Sequence, residues 1–231
     1  MLRLVNMRER IVWHLPLTQT YLGIEGLRLL VLWAGAPSAH VGRGSYLFGL
    51  LYDPDLTEIG EDATALFNLL TGYSAPPRWA SLVVAPLGLH EAILGLIARE
   101  AEHARQGRPA RIVAKMNAIV DRDVIEALYV AAQAGVNITL LVRGICCLRP
   151  GVPGVSERIQ VIAIIDRFLE HARVAWFHNG GADEVYISSA DWMPRNFHRR
   201  VEVMVPIVDP AIRDRITGEI LAVSLSDNVK R

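Results

Sequence analysis

The sequence predicts an α/β fold, and two observations carry that prediction. The first is a strand–helix–strand pattern, with apolar runs at residues 111–115 and 137–142 on either side of a helical stretch that Asp121 caps and Gly135 closes. A connection of this kind is right-handed and makes its two strands parallel. The second observation is a hydrophobic content of 52% in 231 residues, which suits parallel strands buried on both faces or, alternatively, surfaces that bind partners.

Further elements are predicted from helical spacing, strand-like runs and Gly or Pro punctuation. Helices are expected from Thr57 to just before Gly72, over residues 88–106, and over residues 210–225. Strands are expected at residues 82–84, 159–162, 173–177, 184–188 and 201–208, and a loop at residues 146–154. The strand at residues 159–162 is expected to lead into a helix, although the period there is ambiguous.

Composition excludes several classes of protein. The 24 basic and 24 acidic residues cancel, so no global basic field indicates nucleic acid. Cys146 and Cys147 are adjacent, cannot join distant parts of the fold, and favour a reducing cytoplasm. The apolar run at residues 29–36 is far shorter than the ~20 residues that cross a bilayer, and no signal-peptide pattern opens the chain.

One stretch, residues 143–203, concentrates basic side chains among short apolar runs and Gly or Pro turns. Arginine grips two phosphate oxygens with a planar fork, and histidine exchanges protons near neutral pH. Arg143 follows a parallel strand, where open α/β sheets bind ligands. The stretch predicts a phosphate site with a central histidine. Lys115 and Lys230 are the only lysines, so arginine is favoured throughout the chain and its concentration here need not be functional. The alternative is therefore a solvated, arginine-rich surface. The basic residues that indicate this site are Arg143, Arg149, Arg167, His171, Arg173, Arg195, Arg199 and Arg200.

The order of these motifs identifies a family. VRGICCLRPGVPG, DRFLEHAR, FHNGG, EVYISSADWMPRN and RRVEV follow one another, and this order resembles the last catalytic domain of the long bacterial polyphosphate kinases. The resemblance implies a phospholipase D-like mixed β-sheet flanked by helices. In that family two similar α/β halves each contribute a histidine to one phosphate site.

The resemblance also implies a domain division. Residues 1–49 form an unassigned leader, residues 50–108 a remnant of the first phospholipase D-like domain with linking helices, and residues 109–231 the second such domain. The segment at residues 39–46 is similar to a degraded form of the family's His-Ile-Gly-Thr-Gly-Asn-Tyr, or is a glycine-rich turn. The family's phosphorylated histidine lies in His-x-Lys, whereas His14 precedes Leu-Pro and His40 precedes Val-Gly. We therefore expect a carboxy-terminal fragment.

The site residues that the resemblance implies are one catalytic histidine, His171, and a set of side chains that bind nucleotide or phosphate. His171 instead satisfies a loop carbonyl in a simpler interpretation, Arg200 forms a surface pair with Glu202, and Lys115 is a solvated strand end. No protein metal ligand is expected. The nucleotide- and phosphate-binding set is Arg143, His171, Arg173, Arg200, Lys115, Asn117 and Tyr46.

The implied activity is reversible transfer of the terminal phosphate of ATP to inorganic polyphosphate, with Mg²⁺ as cofactor. ATP, ADP and polyphosphate are the expected partners, with no nucleic acid, no transmembrane segment and a homo-oligomer in the full-length family. The expected location is the cytoplasm or the periphery of the inner membrane. Two alternatives stay open: a polyphosphate- or nucleotide-binding module without catalysis, and a phospholipase D-type phosphodiesterase.

Overall fold

The computed structural model describes residues 78–165 and 170–227, helix α1 at Thr57–Leu70, and the backbone of four short strands ahead of it. The chain divides into two compact units, Met1–Leu82 and Val83–Arg231. Among the described helices, none has the length and apolarity that a bilayer crossing requires.

The first unit contains two antiparallel strand pairs and helix α1. Strands β1 (Val5–Asn6) and β2 (Ile11–Val12) form one pair, and β3 (Leu29–Ala34) and β4 (Tyr46–Leu51) form the other. Helix α1 confirms the helix expected from Thr57, and the carboxylate of its Asp62 accepts the amide N–H groups of residues 80, 81 and 82 at 2.7–2.9 Å.

The second unit is built on a seven-stranded sheet in the order β5-β11-β10-β9-β6-β7-β8. Its strands are β5 (Val83–Ala85), β6 (Arg111–Met116), β7 (Asn137–Val142), β8 (Ile159–Ile162), β9 (Val174–Phe177), β10 (Glu184–Ser188) and β11 (Glu202–Pro206).

Pairing in this sheet is mixed. Strands β6, β7 and β8 are parallel, with Arg111 opposite Asn137 and Met116 opposite Val142, and the remaining pairs are antiparallel. The predicted α/β fold, its mixed sheet and its parallel strand–helix–strand unit are therefore confirmed.

Helices cover both faces of the sheet. On one face, fully buried Ile93, Ile97 and Leu128 from α2 and α3 pack into a core with Ile112 of β6. Side chains alternate along a strand, so Lys115 of β6 points to the other face, where it contacts Ser224 of the last helix. The helices are α2 (Leu89–Arg105), α3 (Arg122–Gln133), α4 (Pro194–Arg199), α5 (Pro210–Arg215), a π-helical turn (Ile216–Leu221) and α6 (Ala222–Ser226), and a 3₁₀ turn spans Asn179–Gly181.

The structure differs from the predicted elements at a few places. Helix α4 was not predicted, and the helix expected over residues 210–225 contains a π-helical turn. The chain divides into its two compact units between residues 82 and 83, and β5 and α2 belong to the second unit, where β5 pairs with β11 and α2 packs on the same sheet. The expected domain boundary between residues 108 and 109 stays a prediction. The helix expected after β8 falls partly on residues 166–169, outside the described residues.

Candidate active site

Most of the predicted site residues lie next to the ends of five strands at one edge of the seven-stranded sheet. Parallel strands β6 and β7 end there, and antiparallel β9 begins there, with its Val174 opposite Lys115. Strand β10 ends and β11 begins at the same edge, where the amide of Ser189 donates to the carbonyl of Val203 at 3.0 Å. Residues far apart in sequence, Asn117, Arg143 and those near Arg173, are thereby brought to one place.

Asp191 joins these strand ends. Its Oδ1 accepts from the backbone amide of Asn117 at 2.8 Å and from Nε of Arg173 at 2.9 Å, while its Oδ2 accepts from Nη2 of Arg173 at 3.0 Å. The side chains of Arg173 and Asp191 are only 9% and 6% exposed. A buried bidentate pair of this kind fixes the guanidinium in position.

Arg173 in turn holds His171. Its Nη1 lies 2.9 Å from Nδ1 of the imidazole and donates to the His171 carbonyl at 3.1 Å. A guanidinium can only donate, so Nδ1 of His171 accepts and the ring proton of the neutral form sits on Nε2. Partial burial, the charge of Arg173 and the charge of Arg143 lower the pKa of His171 below its usual 6.5, against an opposing effect of Asp191. His171 is therefore a neutral imidazole at neutral pH, with Nε2–H as a donor.

Arg143 presents an incompletely used guanidinium. Its Nε donates to Oδ1 of Asn117 at 3.2 Å, and its Nη2 donates to the same oxygen. Its Nη1 is buried and has no hydrogen-bond partner, and within the described residues no carboxylate pairs with this side chain. A buried charged donor without a partner is unfavourable unless a ligand supplies the acceptor.

The backbone holds Arg143 close to Asn117. The amide of Gly144 donates to the Asn117 carbonyl at 2.8 Å. A Cβ at position 144 would lie only 2.8 Å from that oxygen, so a side chain here would force the two loops apart. Glycine is required at this position by the close approach of two strand ends.

Lys115 lies beneath the same edge. The residue is 7% exposed, and its Nζ bonds to Oε2 of Glu170 and, at 3.0 Å, to Oγ of Ser224. Burial excludes the solvated strand end as an explanation of Lys115. Because its charge is matched by Glu170, which directly precedes His171, Lys115 holds this segment near the sheet.

Glu202 is a second buried carboxylate at this edge. Ser189 donates to its Oε2 and Asn196 to its Oε1, and Nη1 of Arg200 lies 3.9 Å from Oε1. Burial raises the pKa of Glu202 above its usual 4.5, although the two hydrogen bonds and the charges of Arg200 and Arg173 oppose that shift. The side chains of Arg200 and Glu202 are 27% and 5% exposed, so this is not the simple surface pair considered from the sequence.

The structure brings most of the predicted residues to this edge. Arg143 and Asn117 touch, Arg173 and His171 touch, and Asp191 joins the two pairs. The described contact of His171 is with Arg173, not with the loop carbonyl that the simpler interpretation invoked. Tyr46 opens β4, but its side chain lies outside the described residues. The binding role of each residue stays a prediction.

Sequence reasoning missed two carboxylates that hold the site together, Asp191 and Glu170, and considered Glu202 only as a surface partner of Arg200. A signal existed for Asp191, since it follows a strand in a turn of small residues within an arginine-rich stretch. Buried acids near clustered arginines are commonly their partners.

The fold is an α/β domain, and this edge of its sheet brings a histidine and several arginines together. A family model, "Polyphosphate kinase C-terminal domain 2", matches residues 82–231. Proteins named polyphosphate kinase from Thermosynechococcus vestitus and Rhodopirellula baltica are each 54% identical over 196 residues, which cover 82% of this chain. A crystal structure of polyphosphate kinase from Porphyromonas gingivalis matches 93% of this chain with a TM-score of 0.75 and 40% identity.

The chain belongs to the polyphosphate kinase family. It spans only 27% and 23% of the two named relatives and 32% of the crystallised protein. The family resemblance seen in the sequence is confirmed, while its more distant phospholipase D-like relation stays a prediction.

Proposed function

We propose that this chain provides the arginine–histidine half of a site that transfers the terminal phosphate of ATP reversibly to inorganic polyphosphate. The observation that carries the proposal is Arg143, whose buried Nη1 lacks a partner and whose charge no described carboxylate neutralises. ATP, ADP and polyphosphate all present the anionic oxygens that would complete its hydrogen bonds.

The proposed roles follow from the contacts. Arg143 would bind a phosphate oxygen through Nη1 while Asn117 holds the rest of the guanidinium. His171 would donate from Nε2, because its Nδ1 already accepts from Arg173. Fixed donors aimed at phosphate oxygens stabilise the charge that shifts between them during phosphoryl transfer.

We propose that Mg²⁺ enters this site with the nucleotide. Asp191 accepts from Arg173, Glu202 accepts from Ser189 and Asn196, and Glu170 pairs with Lys115. These carboxylates are committed to donors, and among the described residues no three ligating side chains converge at this edge. The arrangement fits an ion held chiefly by phosphate oxygens and water, which is how Mg²⁺ commonly binds with nucleotides, and which would offset phosphate charge.

A second candidate is a binding module without turnover, and a specific observation favours it. The family's phosphorylated histidine lies in His-x-Lys, and no histidine of this sequence stands two residues before a lysine. In that case the edge would bind phosphate chains but have no acceptor for a phosphoryl group. Assignment of residues 50–108 to a sister domain, assembly into a homo-oligomer, and location in the cytoplasm or at the inner membrane are further parts of the proposal from family membership.

The deciding experiment is incubation of the purified chain with γ-labelled ATP and Mg²⁺, with and without polyphosphate. Label should be sought in polymer and, under conditions that preserve phosphohistidine, on the protein. Labelled polymer that disappears in Arg143→Ala, but not in Arg149→Ala from the exposed loop that follows, supports catalysis. The variant Arg149→Ala is the matched control because it removes an arginine six positions away without touching the Asn117 contact.

If polyphosphate binds in a way that depends on Arg143 but no label is transferred, the chain is a binding module and the proposal of catalysis is rejected. Equal binding by the wild type and Arg143→Ala would reject both. His171-dependent hydrolysis of a phosphodiester would favour the phosphodiesterase alternative.

A further inference from the structure

The strand ends that hold Asn117, Arg143, His171, Arg173 and Asp191 are called the phosphate edge, after their proposed function. Three ligating side chains meet away from this edge. Nε2 of His90, at the start of α2, lies 3.0 Å from Oδ1 of Asp121, the N-cap of α3. The ring of His198 in α4 stands edge-on to that of His90, with centroids 5.0 Å apart. One ligand atom from each residue lies within 4.8 Å of the others, and this is the only such three-residue group in the described part of the chain.

We infer that His90, Asp121 and His198 form a site for a divalent transition metal ion, with zinc as the reference ion. Two imidazoles and one carboxylate are ligands of zinc, cobalt and nickel, whereas magnesium prefers oxygen alone. The three ligands come from three separate helices, so the site is a product of the fold and not of a local sequence motif.

The distances suit one ion. With metal–ligand bonds of about 2.0–2.2 Å, two ligands on one ion lie about 3.0 Å apart at a right angle and about 3.4 Å apart in a tetrahedron. The His90–Asp121 separation of 3.0 Å already falls at this spacing. His198 must approach by roughly 1.5 Å, and its exposed side chain can rotate to do so.

The three ligands differ in burial: His90 and Asp121 are buried and fixed, whereas His198 is exposed and can move toward the ion. The side chains of His90 and Asp121 are 9% and 5% exposed, and the amide of Val124 also donates to Oδ1 of Asp121 at 3.1 Å. Metal binding would replace the hydrogen bond between Nε2 of His90 and Asp121, and the single N–H proton of the neutral imidazole would then sit on Nδ1. Since His198 faces solvent, the remaining coordination positions would be filled by water.

The ion would fix the segment that connects two parts of the phosphate edge. Helix α4 lies between Asp191 and Arg200, and the carbonyl of Trp192 accepts from the amide of Asp121 at 3.0 Å. Binding at His198 would tie the carboxyl-terminal part of α4 to the same Asp121. The metal is thus structural, stabilising α4, and does not enter the phosphoryl transfer.

The test is calorimetric titration of the untagged full chain with zinc chloride, and with cobalt followed by visible absorption. We expect one equivalent of zinc, a raised Tm in its presence, and an affinity at least about tenfold lower in His198→Ala. The variant His198→Asp, which retains a ligand, should recover part of the affinity. His178→Ala is the control, because His178 also lies near a carboxylate, 3.2 Å from Asp183, without a third ligand.

Because His198 is exposed, its replacement should leave the fold intact, which far-ultraviolet circular dichroism would check. Equal zinc affinity in the wild type and His198→Ala would overturn the proposal, as would absence of binding in the wild type. A loss of binding in His178→Ala as large as in His198→Ala would do the same. The three side chains would then be only a hydrogen-bonded pair beside a histidine ring.

Discussion

The two edges of the seven-stranded sheet each contain a bidentate arginine–carboxylate pair, but they use it differently. At the phosphate edge the pair is Arg173 and Asp191, and at the opposite edge it is Arg99 and Glu184, joined at 2.7 and 3.2 Å. The phosphate edge also contains Arg143, a guanidinium without a described carboxylate partner. At the opposite edge, the carboxylate of the arginine–carboxylate pair also accepts hydrogen bonds from neutral donors.

The carboxylate of Glu184 is saturated at that opposite edge. Its oxygens also accept from Nδ2 of Asn179 at 2.9 Å and from the hydroxyl of Tyr186 at 2.8 Å. Partial burial and the hydrogen bond to Glu184 raise the pKa of Tyr186 far above its usual 10, so this hydroxyl remains a donor. Nearby, Glu100 accepts from the backbone amides of Asn179 and Arg111 at 2.6 and 3.1 Å.

The difference between the two polar networks lies in which guanidinium nitrogen has no partner. Both edges contain buried polar atoms without partners, including Nε of Arg99 and Nη1 of Arg143. For Arg99 both terminal nitrogens already bond to Glu184, whereas for Arg143 a terminal nitrogen is the unpartnered group. The guanidinium of Arg143 therefore keeps the two N–H groups of Nη1 unpaired, and no described carboxylate neutralises its charge.

The largest expected effect comes from Asp191→Ala. Removing this carboxylate leaves Arg173 buried without compensation, which should lower the free energy of unfolding by about 3–5 kcal/mol and abolish phosphate binding. Urea denaturation checks the stability. Asp214→Ala is the control, since this carboxylate is 75% exposed and surface pairs contribute about 0–1 kcal/mol. Equal losses in the two variants would contradict the role of Asp191.

Glu184→Ala should separate stability from binding. Its side chain is 32% exposed, so the loss in unfolding free energy should be smaller, about 2 kcal/mol. Affinity for polyphosphate should change less than about twofold, because a saturated network contributes no contact to the ligand. Denaturation and calorimetry on the same preparation measure both. Loss of binding in a variant that is still folded would show that the two edges are coupled.

Arg143→Ala should do the reverse. Loss of charged hydrogen bonds worth about 1.5–3 kcal/mol should weaken polyphosphate or ATP binding about 10- to 100-fold. Unfolding free energy should stay within about 0.5 kcal/mol of the wild type, since Arg143 has only the neutral Asn117 as a described side-chain partner. Calorimetry at fixed ionic strength checks the affinity. A destabilisation comparable with that of Glu184→Ala would place Arg143 among the structural arginines.

The smallest expected effect is a dependence on pH from His171. Its pKa in the folded chain lies below the usual 6.5, so below pH 6.5 the unfolded chain binds more protons than the folded one. Stability should therefore fall as pH drops from 6.5 toward the folded pKa, and should not change from this group above 6.5. Urea denaturation of wild type and His171→Gln between about pH 5 and 7.5 compares the slopes. An unchanged slope in the variant would assign the dependence to another group.

Sequence patterns predicted those parts of the fold that local interactions determine. Gly88 begins and Asp121 caps helices α2 and α3 as expected, and β7 and β10 have the predicted bounds. Local signals do not encode the order of strands, so the insertion of β9 beside β6 was not predictable. Helix α4 was missed because its six residues give too short a window for helical periodicity.

The candidate site was predictable in its cations and not in its anions. Arg143 and His171 were found because basic residues clustered in one stretch and matched a family motif. Asp191 could be assigned only from contacts with Arg173, 18 positions away, and Asn117, 74 positions away. The role of Lys115 could be judged only from its burial and from its contact with Ser224 of the last helix, which lies 109 positions along the chain.

The close approach of Gly144 to Asn117 has an entropic consequence for ligand binding. The backbone bond between them, at 2.8 Å, and the side-chain bond from Arg143 to Asn117 restrict both the loop and the guanidinium before any anion arrives. Ordering one long side chain on binding costs about 0.5–1.5 kcal/mol. Here that ordering takes place when the chain folds, so a larger part of each new hydrogen bond remains as affinity.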